Sequence, residues 1–128
     1  MPQIQQIYHI KAPIEKVWDA LTNPQTMSDW DAGPEIVMEL KLGGKFSLWG
    51  GDIHGTNTMI DAPNRLKQDW FGGDWPLPSK VVFKLSQKGK ITTVRLTHDN
   101  LPTAEVGNFY QGWKDYYLGP IQRLLQGD

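Results

Sequence analysis

The histidines at positions 9, 54 and 98 are the side chains best suited to move a proton or hold a metal ion near neutral pH. None has a second ligand at the i+4 spacing of a zinc helix, or a neighbouring carboxylate in that pattern, so no metal site is expected. Asp52 and His54 share a strand face by spacing, but no serine stands beside them in a nucleophile-elbow setting. Carboxylates paired for glycosidic chemistry are not evident either: Glu35 and Glu39 lie four apart on an expected strand, and Asp69 faces outward by alternation. The pairs Gly43-Gly44, Gly50-Gly51 and Gly72-Gly73 fall at strand boundaries, not between a strand and a helix, so they read as turns and not as phosphate cradles. With no cysteine in the chain, thiolate nucleophiles, disulfides and cysteine-held metals drop out together. No catalytic residue and no cofactor is expected.

Polar residues that alternation turns inward say more. Leu66, Gln68 and Trp70 share a face, as do Ile53, Asn57 and Met59, and Tyr8 falls with Ile4 and Ile10. A buried polar group left without a partner costs about 1–3 kcal/mol, so Gln68, Asn57 and Tyr8 need one another, water or a ligand. His98 falls on the core face with Val94 and Leu96, where it either reaches into a pocket or closes the strand end against Asn100. Gly73-Asp74-Trp75-Pro76-Leu77-Pro78 forms a stiff loop whose Trp75 either tucks beneath it or offers an aromatic anchor at a cavity mouth or to a partner.

The elements that must place these residues follow from periodicity. Residues 4–10 alternate as a weakly amphipathic strand that stops at Ala12-Pro13; Ile14, Val17, Trp18 and Leu21 then recur at helical spacing, and a second short turn runs from Pro24 to Trp30. From Glu35 the period becomes two, with glycine-bearing turns spaced for an antiparallel meander whose clearest hairpin joins residues 80–86 to 91–98. Pro102-Thr103 opens a final helix carrying Phe109, Tyr110, Trp113, Tyr116 and Tyr117. Phe109, Trp113, Tyr117 or Pro120, and Leu124 are expected on its buried face, with a bend at Gly119-Pro120. Helices and strands segregate, which makes an α+β fold: a curved antiparallel sheet of six or seven strands gripping a long C-terminal helix, with two short helices after the first strand.

The bulk properties fit one domain over residues 1–128. The chain is 39% hydrophobic and 21% charged with net charge −1, so neither nucleic acid nor an anionic membrane is an expected partner. No apolar run approaches the roughly 20 residues of a membrane span, and the N-terminus lacks a secretory pattern, so a cytoplasmic protein is expected.

Ala12-Pro13, Val17-Trp18-Asp19-Ala20-Leu21-Thr22, Gly43-Gly44-Lys45-Phe46, Gly51-x-Ile53-x-Gly55, Pro63-x-Arg65-Leu66, Trp70, Asp74-Trp75-Pro76, Leu96-Thr97-His98 and Gln111-Gly112-Trp113-x-x-Tyr116-Tyr117 resemble, in order, the Hsp90-ATPase-activator-like family. That resemblance implies the helix-grip fold of the START/Bet v 1-like superfamily. It also implies a choice of roles. The eukaryotic co-chaperone carries such a domain behind a separate N-terminal domain, for which 128 residues leave no room, while bacterial single-domain relatives are regarded as binders of small apolar molecules. A non-enzymatic binder of a small hydrophobic ligand is therefore expected, with Trp18, Phe46, Asn57, Gln68, Trp70, Phe83, His98, Trp113 and Tyr117 lining the cavity. The alternatives are a co-chaperone module that meets an Hsp90-like chaperone through Asp74, Trp75 and Pro76, and a cyclase-like enzyme using polar pocket residues.

Overall fold

The computed structural model describes residues 3–73 and 75–126. Strand β1 (Ile4–Ile10) is followed by helices α1 (Ile14–Thr22) and α2 (Pro24–Asp29), then by strands β2 (Val37–Met38), β3 (Lys45–Leu48), β4 (Ile53–Asp61), β5 (Arg65–Gly72), β6 (Ser79–Lys88) and β7 (Ile91–Asp99). The last stretch is helical throughout: a 3-10 turn at Thr103–Glu105, helix α3 (Val106–Gly112), a π turn at Trp113–Tyr117 and helix α4 (Leu118–Gln126).

The seven strands among the described residues form one antiparallel sheet in the order β1-β7-β6-β5-β4-β3-β2, so β2 to β7 meander and β1 crosses to pair with the last strand. The concave face carries the core and receives the final helix, which is the expected helix-grip arrangement. Strict alternation sets that face along β5, β6 and β7, where Leu66, Gln68, Trp70, Ser79, Val81, Phe83, Thr92, Val94, Leu96 and His98 all point inward. Pro24 opens α2 because its missing N–H is not needed there, and the Asn23 side chain accepts from the Gln25 backbone N–H at 3.0 Å. No helix among the described residues is long and apolar enough to cross a membrane.

Two elements depart from simple periodicity. In β4 the register slips between Asn57 and Met59, so Ile60 and not Met59 lies opposite inward-facing Leu66. The extra residue of this bulge cancels the shared face expected for Asn57 and Met59. In the final helix, the π turn adds a residue just ahead of Pro120, whose ring and absent N–H cannot be fitted to the regular ladder. One residue is about 100° of helix, so the buried face moves from Leu124, which is 40% exposed, to Leu118 and Ile121, which are fully buried. Gly119 makes the turn possible: a β-carbon there would run into the Lys114 carbonyl.

Candidate functional site

The π turn sits where the final helix passes the turn between β3 and β4, and the two do not close on each other. They leave a cleft of about 340 Å³ lined by Trp49, Asp52, Ile53, Trp70, Asn108, Phe109, Gly112, Trp113, Tyr116 and Tyr117. Trp70 contributes from the sheet; Trp49, Asp52 and Ile53 form one wall, and the helix forms the other.

The sheet-side wall rests on an unusual backbone. Trp49, Gly50 and Gly51 all have positive φ, at 53°, 68° and 98°. The left-handed region costs a non-glycine residue about 1–3 kcal/mol, so surrounding contacts must hold Trp49 in it. Its N–H donates to the Ala32 carbonyl at 2.7 Å, its indole Nε1–H donates to the Asp31 carbonyl at 3.1 Å, and Gly50 N–H donates to the Pro34 carbonyl at 3.0 Å. Gly33 lies directly beneath, where any β-carbon would collide with the Trp49 backbone. The indole is thereby fixed against Trp30 and Tyr117, with ring centroids 6.4 and 6.1 Å away.

On the helix side, Gly112 leaves space instead of filling it. A β-carbon there would meet nothing nearer than the Tyr116 ring at 3.9 Å. A glycine inside a helix costs about 0.5–1 kcal/mol relative to alanine, and here no crowding requires it. Keeping the cleft wide is the structural consequence.

Behind the cleft lies a closed polar chain. Gln68 Nε2 donates to Asn57 Oδ1 at 2.9 Å, Asn57 Nδ2 donates to the Glu39 carbonyl at 2.8 Å, and Trp70 Nε1 donates to Gln68 Oε1 at 2.8 Å. His98 occupies a second one: its Nδ1 accepts from Trp113 Nε1 at 3.1 Å, which assigns the proton to Nε2, 2.8 Å from Ser79 Oγ. Burial lowers the His98 pKa to about 3, with nearby Asp99 pulling weakly the other way. The imidazole is a neutral structural link between sheet and helix.

Of the nine residues expected to line a cavity, Trp70, Trp113 and Tyr117 lie on the cleft. Asn57, Gln68 and His98 sit behind it with their hydrogen bonds directed to one another or to neighbours; Phe46 and Phe83 pack against Trp70 and Trp113, and Trp18 is buried on α1. Tyr8 is satisfied through Gln6, which in turn donates to the Tyr110 carbonyl. Trp75 tucks under its loop, over Gly72 and 5.4 Å from the Phe109 ring, so it braces the cleft wall from outside, while Pro76 is exposed. Asp74 lies outside the described residues.

Nothing in the types of Trp49 and Asp52 announces a left-handed turn at a tryptophan. The run Trp49-Gly50-Gly51-Asp52 is the signal that was available: two glycines beside a large ring. Phe109 and Tyr116 belong to the aromatic stripe, but the face they take depends on the π turn.

One buried side-chain polar atom among the described residues has no protein partner, the Tyr117 hydroxyl. Burial pushes its pKa upward, so it stays a neutral phenol. Among the described residues Asp52 is the carboxylate of the lining, and no Lys, Arg or His side chain joins it there.

Comparisons with known proteins agree with this architecture. A Plasmodium falciparum structure described as an HSP90 activator is 28% identical, with a TM-score of 0.89 over 96% of this chain and 95% of that one. A Dictyostelium discoideum protein described as an activator of 90 kDa heat shock protein ATPase homolog is 32% identical over 94 residues, which is 71% of this chain and 24% of that one. An uncharacterized Schizosaccharomyces pombe protein is 24% identical over 124 residues, 95% of this chain and 37% of its own length. The chain thus spans between about a quarter and two fifths of these two curated relatives. A family model described as Activator of Hsp90 ATPase homolog 1-like protein matches residues 11–126, and the chain belongs to that family.

Proposed function

We propose that this protein binds a small, largely apolar molecule in the cleft between its final helix and the Trp49 turn. The observation that carries the reading is the cleft itself: about 340 Å³, walled by aromatic rings and left wide at Gly112. Ligand sites are typically about 300–1,000 Å³, mostly apolar and largely pre-formed, and this cleft falls at the lower end of that range. Its walls are anchored without a ligand: the Trp49 turn by three hydrogen bonds to backbone carbonyls and Trp113 by His98. The test is a panel of small aromatic and aliphatic compounds scored by melting temperature and tryptophan emission. Binding should raise the melting temperature in a saturable way and alter the emission of rings on the cleft. A panel that moves neither would remove the reading.

A second reading has its own support. The similarity to the Plasmodium falciparum structure described as an HSP90 activator extends over nearly the whole of both chains, so action on an Hsp90-like chaperone is not tied to the longer relatives. The corresponding measurement is ATP turnover by an Hsp90 with and without this protein, alongside retention of one on the other. Unchanged turnover with no retention would dispose of it.

A further inference from the structure

We propose that the cleft selects a cation, specifically an organic ammonium group carried on an apolar or aromatic body. This rests on the reading of the cleft as a ligand site and adds the chemical class of the ligand.

Three tryptophans line the cleft, and each has already committed its N–H to the protein: Trp49 to the Asp31 carbonyl, Trp70 to Gln68 Oε1 and Trp113 to His98 Nδ1. What they present to the cleft is therefore aromatic surface and not a donor. With its indole donors spent, the aromatic lining offers no N–H to an anion, whereas a cation that reaches a ring face is attracted by the negative part of its quadrupole. Phe109, Tyr116 and Tyr117 add three more rings.

Charge points the same way. Asp52 stands on the lining at the solvent-exposed end of the Trp49 turn, and it is in no ion pair among the described residues. Among the described residues no basic side chain belongs to the lining, so an anionic ligand would meet a carboxylate and aromatic carbon with only Asn108 and the Tyr116 hydroxyl as neutral side-chain donors. An ammonium group meets the opposite situation, with Asp52 for its charge and an aromatic lining for its methyl or methylene groups. The remaining apolar body then lies between Trp49 and the helix, over Trp70.

The experiment is an NMR titration of the full chain, following the indole N–H signals with three matched probes. These are phenyltrimethylammonium, its uncharged carbon isostere tert-butylbenzene, and the anion benzenesulfonate. The expected order is ammonium tightest, isostere weaker and sulfonate weakest. Asp52→Asn, a conservative change at an exposed position, should weaken the ammonium probe roughly three- to tenfold and leave the isostere unchanged. If the isostere or the sulfonate binds as well as the ammonium, or if Asp52→Asn weakens all probes equally, the cationic preference is wrong while the cleft remains a ligand site. If none of the three shifts an indole signal of the cleft, both the preference and the ligand-site reading fall.

Discussion

The two sides of Trp70 and Trp113 treat polar groups in opposite ways. Behind these rings the polar side chains are paired: Asn57 with Gln68, Gln68 with Trp70, His98 with Trp113 and Ser79. In front of them lies an open aromatic space with Asp52 and Asn108 on its lining. Residue type alone does not distinguish the two sides, since both combine large rings with a few polar groups. The difference is satisfaction. A buried amide with a partner stabilises the fold and fixes a rotamer, whereas a space between aromatic walls that no side chain fills can admit a ligand. The proposed ligand site accordingly lies on the side that packing leaves open.

Substitutions should separate the sides cleanly. Gln68→Leu removes the partner of both Asn57 Oδ1 and the Trp70 indole N–H, two buried groups, and should cost about 2–5 kcal/mol in all, read from urea unfolding. A loss below 1 kcal/mol would mean that the polar chain is not the stabilising network described.

Acid should attack the packed side next. Burial lowers the His98 pKa to about 3, whereas an unfolded histidine takes up its proton near pH 6.5. The unfolded chain therefore binds the extra proton below that value. The contribution of neutral His98 is complete above about pH 6.5 and declines by about 1.4 kcal/mol per pH unit until about pH 3. Between pH 6.5 and 5 this amounts to about 2 kcal/mol. Urea midpoints across that interval should show the fall, and His98→Gln should flatten it; an identical slope in the variant would assign the acid sensitivity elsewhere.

The cleft side responds with the opposite sign. Gly112→Ala adds a β-carbon that meets no close contact and should raise stability by about 0.5–1 kcal/mol while weakening any cleft ligand. A variant that gains stability and binds equally well would show that Gly112 does not serve the cleft. Smallest of all in stability is Tyr116→Ala: this ring is 66% exposed, so unfolding should change by no more than about 0.5 kcal/mol, with the effect confined to ligand affinity.

Much of the fold was legible because strands of one sheet obey a single rule. Alternation along β5 and β7 identified Gln68, Trp70 and His98 as inward residues, and segregation of strands from helices identified the class. The site was less legible, for two local reasons. The π turn before Pro120 rotates the last helix by about one residue, which exposes Leu124 and buries Leu118 and Ile121. Likewise, the left-handed turn at Trp49 is a tertiary effect, created by the Asp31, Ala32 and Pro34 carbonyls and the space above Gly33. Periodicity carries no trace of either. Inward-facing polar residues also have two meanings, and only the network of partners shows that Asn57 and Gln68 complete the core.

The most direct test is diffraction from crystals soaked in a small neutral aromatic such as indole. A bound ring is expected between Trp49 and the helix at Phe109 and Trp113, resting over Trp70, with the Asn57–Gln68 and His98–Trp113 hydrogen bonds unchanged. A cleft closed by its own side chains, or a ligand seated among Phe46, Gln68 and Phe83 with those bonds broken, would contradict it.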